Sequence, residues 1–283
     1  MTARRQNMLG SVLFYLLVGL ILIYTIFPFY WALKSSITPR ERLFATPAEY
    51  FPSRPTLEHY REAFGNPVFV QALLNSTLVA GSVVILSLVI GAFAAYALGR
   101  FNFRGRTPML YVILAMTMFP QIAILGSLFN MVTRFGLYNN LGALILTYLV
   151  FTLPFTVWVL TNFFKGMPAE LEQAAYVDGA TPFQTFYMVL LPLTAPGLVT
   201  TGLLAFIGAW NEFLYALSFT QTPDKRTVPV AITTFSGQSG SAFEIPWGPI
   251  MAATVIVTIP LIVLVLAFQR RIMAGLTAGA VKG

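Results

Sequence analysis

Long apolar runs separated by polar segments of unequal length dominate this sequence. Each run is long enough, at about 1.5 Å per helical residue, to cross a bilayer core of about 30 Å. The pattern predicts an all-α membrane protein in which one domain, residues 1–283, contains six transmembrane helices. The predicted spans lie near residues 11–33, 71–98, 108–130, 141–162, 194–219 and 248–268.

The composition excludes several functions. With 57% hydrophobic and 10% charged residues, the chain does not have the composition of a soluble domain. It has no cysteine and a single histidine, His59, so the sequence predicts no disulfide and no metal site. His59 is expected to be a solvated loop residue. Basic residues that flank the apolar runs account for the net charge of +7. The sequence therefore predicts contact with membrane lipid and no binding of nucleic acid.

The distribution of basic residues predicts the orientation. Six spans place both termini on the same side of the membrane, and the first apolar run is too long for a cleaved signal peptide. The short loop 99–107 contains three arginines, whereas loop 131–140 contains only Arg134. Basic short loops favour the cytoplasm, so both termini are predicted to be cytoplasmic.

Two features inside the runs carry candidate chemistry. Glu212 is the only charge within an apolar run, and intramembrane acids usually face a wet cavity or the bundle interior. Together with Asn211 it either lines a translocation route or braces a helix bend, and the sequence leaves both open. The small residues of GAFAAYALG, 91–99, favour close approach of another helix, from this chain or from a partner.

The segment of residues 163–193 has helix signals of its own. Pro168 suits the first turn of a helix, two acids follow it, and Gly179 suits the stop, which predicts a helix over about 168–177. Thr181 then offers an N-cap before Pro182, and a second helix is expected to run as far as Pro192. The 163–193 loop is therefore predicted to form a helix-turn-helix finger at the membrane surface.

The spacing in this loop resembles the cytoplasmic signature of binding-protein-dependent ABC importer permeases. That EAA motif reads Glu-Ala-Ala, three residues, Gly, nine residues, Ile, one residue, Leu-Pro. Here it reads Gln173-Ala174-Ala175, Gly179, Val189 and Leu191-Pro192 with every interval kept, although Gln173 replaces the acid. The flanking Asp178, the Trp-Asn-Glu-Phe run at 210–213 and the tail GLTAGAVKG resemble the MalG-like carbohydrate uptake class.

The resemblance implies the type I ABC importer permease fold, with residues 168–179 as a cytoplasmic coupling helix. The residues implied in ATPase coupling are Glu172, Gln173, Ala174, Ala175, Asp178, Gly179, Leu191 and Pro192. Within the tail of residues 269–283, the end is implied to enter the ATPase interface, and its residues are Gly279, Ala280, Val281, Lys282 and Gly283. The chain has no phosphate-binding loop sequence, so no catalytic residue is expected.

The implied partners are a second homologous permease that completes a heterodimeric pore, an ATPase homodimer that binds ATP and Mg, and an extracytoplasmic sugar-binding protein. Loop 221–248 either approaches that protein's sugar site or is a surface loop without ligand contact. The expected location is the bacterial or archaeal inner membrane, and the expected cargo a di- or oligosaccharide such as maltose, maltodextrin or trehalose.

Two other functions compete with this one. A self-contained secondary transporter would require an inverted repeat and coupling-ion residues near the midplane, and neither is convincing in this sequence. A purely structural membrane subunit would leave the 168–192 finger unexplained.

Overall fold

The computed structural model describes the backbone of residues 2–235 and 245–277, and the side chains of residues 10–235 and 245–270. In this part of the chain all regular elements are helical. The helices are α1 Thr2–Ser36, α2 Glu58–Gly65, α3 Pro67–Arg100, α4 Arg106–Thr117, α5 Gln121–Arg134, α6 Leu141–Gly166, α7 Glu170–Val177, α8 Pro182–Leu193, α9 Ala195–Trp210, α10 Leu214–Phe219, α11 Val228–Thr233 and α12 Trp247–Thr277.

Among the described residues, four helices are long and apolar enough to cross a membrane, namely α1, α3, α6 and α12. Two bent pairs bring the number up to six if each pair counts as one span. The helices α4 and α5 meet at 97°, and α8 and α9 meet at 74°. The described residues therefore contain four to six segments that are long and apolar enough to cross a membrane.

Two of the predicted spans are broken and not straight. The run 108–130 divides between α4 and α5, because Pro120 has no backbone N–H to donate and disfavours a helical residue before it. The run 194–219 divides into α9 and α10, with Asn211–Phe213 between them. A hydropathy pattern detects both runs but does not show the breaks.

The described chain divides into two compact units, and the first comprises Met1–Asn66 with Thr234–Thr258. His59 is fully buried in this unit, so its prediction as a solvated residue was wrong. Its Nε2 atom lies 2.9 Å from the carbonyl oxygen of Thr38. Gly248 leaves the space for the ring, because a Cβ atom there would lie 2.3 Å from it. The burial depends on a glycine 189 residues further along the chain.

The second unit comprises Pro67–Thr233 with Ile259–Gly283, and α3 packed along α6 forms its centre. Glycines allow this close approach. A Cβ atom at Gly91 would lie 2.7 Å from Thr156 Cγ2, and one at Gly99 would lie 2.7 Å from Phe164 Cβ. The small-residue face 91–99 therefore packs within this chain, which was one of the two alternatives that the sequence left open.

Polar side chains fix the segment after α10 in the same unit. The Asn75 side-chain amide donates to the carbonyl oxygens of Asp224 and Arg226, each at 2.8 Å, and is almost fully buried. Ser76 Oγ accepts from the Val228 N–H at 2.9 Å. The first part of the predicted loop 221–248 is thus bonded to α3, and its residues 236–244 lie outside the described residues.

Candidate functional site: the 163–193 loop

The 163–193 loop contains the first helix that its sequence signals predict. Helix α7 covers Glu170–Val177, and Glu170 and Glu172 in its first turn complement the positive end of the helix dipole. The predicted start at Pro168 lies two residues before this helix. Gly179 follows at φ +81°, a left-handed conformation that glycine adopts without strain. The chain can therefore reverse direction between α7 and α8.

Helix α8 begins with a complete capping box. The Thr181 hydroxyl accepts from the Gln184 N–H at 3.3 Å, and the Gln184 side chain accepts from the Thr181 N–H at 2.8 Å. Pro182 occupies the first turn, as predicted from the sequence. A π-helical stretch, Thr185–Leu190, precedes Pro192, and α8 ends at Leu193. The second helix of the finger thus exists, with a wider turn in its middle.

An aromatic cluster attaches α8 to α3 and α6. The Phe186 ring is almost fully buried, and its centroid lies 4.8 Å from that of Tyr96 and 5.1 Å from that of Phe93. The Phe164 ring of α6 lies 6.2 Å from it. Contacts between aromatic rings stabilise the packing beyond what burial of the rings contributes. The finger is therefore packed on the membrane helices and is not a loose linker.

A buried ion pair attaches α7 to the same two helices. Arg100, the last residue of α3, donates from Nη2 to Glu172 Oε2 at 2.5 Å. Its Nη1 atom donates to the carbonyl oxygens of Phe164 at 3.2 Å and Met167 at 2.9 Å, at the end of α6. The Arg100 and Glu172 side chains are 10% and 16% exposed. One guanidinium thus joins the ends of α3, α6 and α7.

A second arginine caps α3. Arg106 donates from Nε to the carbonyl oxygen of Leu98 at 2.7 Å and from Nη2 to that of Gly99 at 2.9 Å. These carbonyls belong to the last turn of the helix, where intrahelical donors are missing. Two of the three arginines in loop 99–107 therefore make hydrogen bonds within the fold, in addition to indicating the orientation in the membrane.

The residues predicted for ATPase coupling divide into an outward set and an inward set. Gln173, Ala174, Asp178, Gly179 and Pro192 are exposed, whereas Glu172 and Leu191 are largely covered and Ala175 is only 7% exposed. Ala174 and Ala175 thus do not share one open face. Val177, which the sequence analysis did not select, is 87% exposed beside them. The tail residues Gly279–Gly283 lie outside the described residues.

Glu212 and Asn211 lie at the break between α9 and α10. The Glu212 carboxylate accepts from the Tyr148 hydroxyl at 2.5 Å, and from the N–H groups of Tyr215 at 2.8 Å and Ala216 at 3.0 Å. Asn211 is exposed, and its amide donates to the Ile207 carbonyl oxygen at 3.0 Å. The contacts of Glu212 fit the brace interpretation, since it caps α10 and holds α6.

Two anchors of the finger, Arg100 and Phe186, were not selected from the sequence. Arg100 was counted only as one of three clustered arginines, and Phe186 was one of 25 phenylalanines. The sequence does distinguish Arg100 by position, because it lies at the boundary of an apolar run. It also belongs to the loop that contains Arg106. Its partner Glu172 is 72 residues away, so no local pattern connects the two.

The fold and the site together define a multi-pass helical membrane protein with a structured helical finger packed on its membrane helices. Residues 65–277 match the family described as "Binding-protein-dependent transport system inner membrane component", and this chain belongs to that family. It is thus an inner-membrane component of a transport system.

Two curated relatives match over nearly the whole chain. One is the trehalose transport system permease protein SugB of Mycobacterium tuberculosis, 44% identical and covering 100% of each chain. Another is the trehalose/maltose transport system permease protein MalG of Thermococcus litoralis, 41% identical and covering 99% of each. The resemblance to ABC importer permeases is confirmed.

Among solved structures, one similar chain is from a bacterial ABC transporter involved in import of the acidic polysaccharide alginate. It is 20% identical with a TM-score of 0.81, and the match covers 94% of this chain and 97% of that one. At this identity the match supports the fold alone. The predicted importer-permease fold is confirmed.

Proposed function

We propose that this chain is one of two permease subunits in an ATP-driven importer for a di- or oligosaccharide, with trehalose, maltose and maltodextrin as first candidates. The observation that carries the proposal is the finger, a short exposed helix fixed to the ends of two membrane helices. The names of the two curated relatives support a sugar of the trehalose and maltose type.

In the proposed mechanism, a separate ATPase homodimer binds ATP and Mg and receives α7 in a surface cleft. Closure of that dimer displaces α7, and the bundle changes between inward- and outward-facing states as a binding protein releases sugar. The exposed residues Gln173, Ala174 and Asp178 form the contact face in this scheme. Residues Gly279–Gly283 are proposed to enter the ATPase interface, and both termini are proposed to be cytoplasmic.

The test is ATP hydrolysis by the reconstituted complex, with sister permease and ATPase, measured with and without sugar-loaded binding protein. Ala174→Arg adds bulk and charge on an exposed position, so it should block docking without disturbing the packing of the chain. Gly179→Asp should act in the same direction at the reversal of the finger. We expect either variant to lose the stimulation while inserting normally.

A matched control is Gly136→Asp. Gly136 is also an exposed glycine with positive φ, +68°, and it has open space around it, but it lies in loop 131–140 outside the finger. This variant should keep native stimulation. Native stimulation in Ala174→Arg and Gly179→Asp would reject coupling through α7.

The competing proposal, a self-contained secondary transporter, has a distinct outcome. Sugar uptake into vesicles that contain this chain alone, driven by an ion gradient and without ATPase, would support it. We expect no such uptake.

A further inference from the structure

We propose that Arg100 and Glu172 are positioning residues that transmit the displacement of α7 to the membrane helices α3 and α6. This inference rests on the proposed function, because it concerns how the finger is linked to the bundle. It assigns to Arg100 a role in coupling, and it assigns to Glu172 a partner within this chain.

The Arg100 side chain lies where three helices meet. Its two terminal nitrogens bond three groups on two elements: the Glu172 carboxylate of α7, and the carbonyls of Phe164 and Met167 at the end of α6. Because Arg100 is itself the last residue of α3, one planar side chain connects three helices. A guanidinium suits such a junction, since its donors are held in a fixed fork.

Burial makes the contact between Arg100 and Glu172 costly to break. With side chains 10% and 16% exposed, the pair is largely shielded from solvent. If one member of a largely buried pair is removed, the other is left with an uncompensated charge, whereas exposed pairs contribute little. Displacement of α7 therefore either takes the ends of α3 and α6 with it or breaks a costly contact.

Glu172 has its charged partner within this chain. Its carboxylate is directed at Arg100 in this chain, while its neighbour Gln173 is exposed and uncharged. Glu172 therefore does not replace the acid that Gln173 lacks relative to the motif. The two adjacent positions have separate tasks: Glu172 faces the bundle, and Gln173 faces outward.

The aromatic cluster around Phe186 attaches α8 to the bundle, and Leu171 of α7 packs against the same cluster. Besides this apolar packing, the pair with Arg100 is the only salt bridge among the described contacts of α7. A variant that lacks the pair should therefore keep a folded finger but transmit its motion poorly.

The experiment uses the full transporter complex and measures sugar transported per ATP hydrolysed, together with basal hydrolysis and co-purification of the ATPase. Glu172→Gln and Arg100→Gln should each lower the ratio about five-fold or more, the lower end of typical coupling between sites. The double variant should be no worse than Arg100→Gln, because both changes break the same contact. Glu172→Asp should recover part of the loss.

The matched control is Glu170→Gln, which removes the same charge from the first turn of the same helix at an exposed position. It should keep the native ratio. If Arg100→Gln does not assemble, Arg100→Lys replaces it; lysine keeps the charge but lacks the fork, and it should give an intermediate ratio.

Three results would overturn the inference. One is a native ratio in Glu172→Gln. Another is a defect in Glu172→Gln with native behaviour of Arg100→Gln, which would place Glu172 against the ATPase. A third is an equal defect in Glu170→Gln, which would indicate a general effect of charge. A native complex with no binding-protein stimulation would instead reject the proposed function, and this inference with it.

Discussion

The interactions of Glu212 lead to a quantitative prediction for the break between α9 and α10. Its carboxylate accepts three hydrogen bonds, two of them from backbone N–H groups in the first turn of α10 and one from the Tyr148 hydroxyl. In Glu212→Gln one oxygen becomes an NH₂ group, which cannot accept from a backbone N–H. At least one donor of the turn therefore loses its partner.

The magnitude follows from this count. A buried donor left without a partner costs about 1–3 kcal/mol, so we expect Glu212→Gln to lower the free energy of unfolding by that amount. Tyr148→Phe removes a hydroxyl that donates to a charged acceptor and should cost about 1.5–3 kcal/mol. The double variant should lose less than the sum, because both changes act on the same carboxylate.

Thermal unfolding of the purified complex in detergent, followed by intrinsic fluorescence, measures these changes. In domains of about 150–250 residues, 1 kcal/mol shifts the midpoint by about 2–4 °C, so each single variant should fall by several degrees. Asn211→Ala is the control, because that side chain is exposed and bonds only within α9. Its midpoint should remain near the native one.

The reasoning would be refuted if Glu212→Gln unfolds at the native temperature, or if the two single losses simply add. Glu212 would then not act as a brace. If the same variant also transported sugar at an altered rate, the pathway interpretation would be the better one.

Three further predictions concern packing and capping. Gly99→Ala should lower the free energy of unfolding by about 1–3 kcal/mol, because the new Cβ atom would lie 2.7 Å from Phe164 Cβ. Gly81→Ala in the same helix meets no atom within 4 Å and should be neutral or stabilising. Thermal unfolding of the two variants compares these effects. Thr181→Ala should lower the stability of α8 by about 1 kcal/mol, because it removes the capping hydroxyl. Hydrogen exchange should show the amides of the first turn exchanging about five-fold faster. An unchanged rate would mean that the capping box contributes nothing to the stability of the helix. Asn75→Asp should cost about 1–3 kcal/mol, because its amide donor to two backbone carbonyls is replaced by a carboxylate that repels them; a native unfolding midpoint would contradict this.

Local signals in the sequence predicted the elements of the finger well. A proline at the first turn, a capping threonine and a glycine at the stop act on residues within four positions, so they can be recognised without knowledge of the fold. The motif spacing then indicated the family. The breaks at Pro120 and Asn211 could not be predicted in the same way, because hydropathy reports only whether a residue prefers lipid or protein surroundings and not the direction of the backbone.

Long-range contacts account for what the sequence analysis missed. His59 is buried because Gly248 leaves room for its ring, and Arg100 meets Glu172 only after α3 and α6 have packed together. Neither pair is close in sequence. The separation of Ala174 from Ala175 has the same cause: the two residues are adjacent on one helix turn, and packing against the bundle decides which of them is covered.

The paired arginine caps at the ends of α3 and α6 have a mechanical consequence. Arg106 binds the last carbonyls of α3, Arg100 binds those of α6, and the contacts of Gly91 and Gly99 hold the C-terminal part of α3 close to α6. Together they form a stiff strut within this unit. Flexing of the unit should therefore concentrate at breaks in the helical backbone outside this strut, which act as its joints: before Pro120, between α8 and α9, and at Asn211–Phe213.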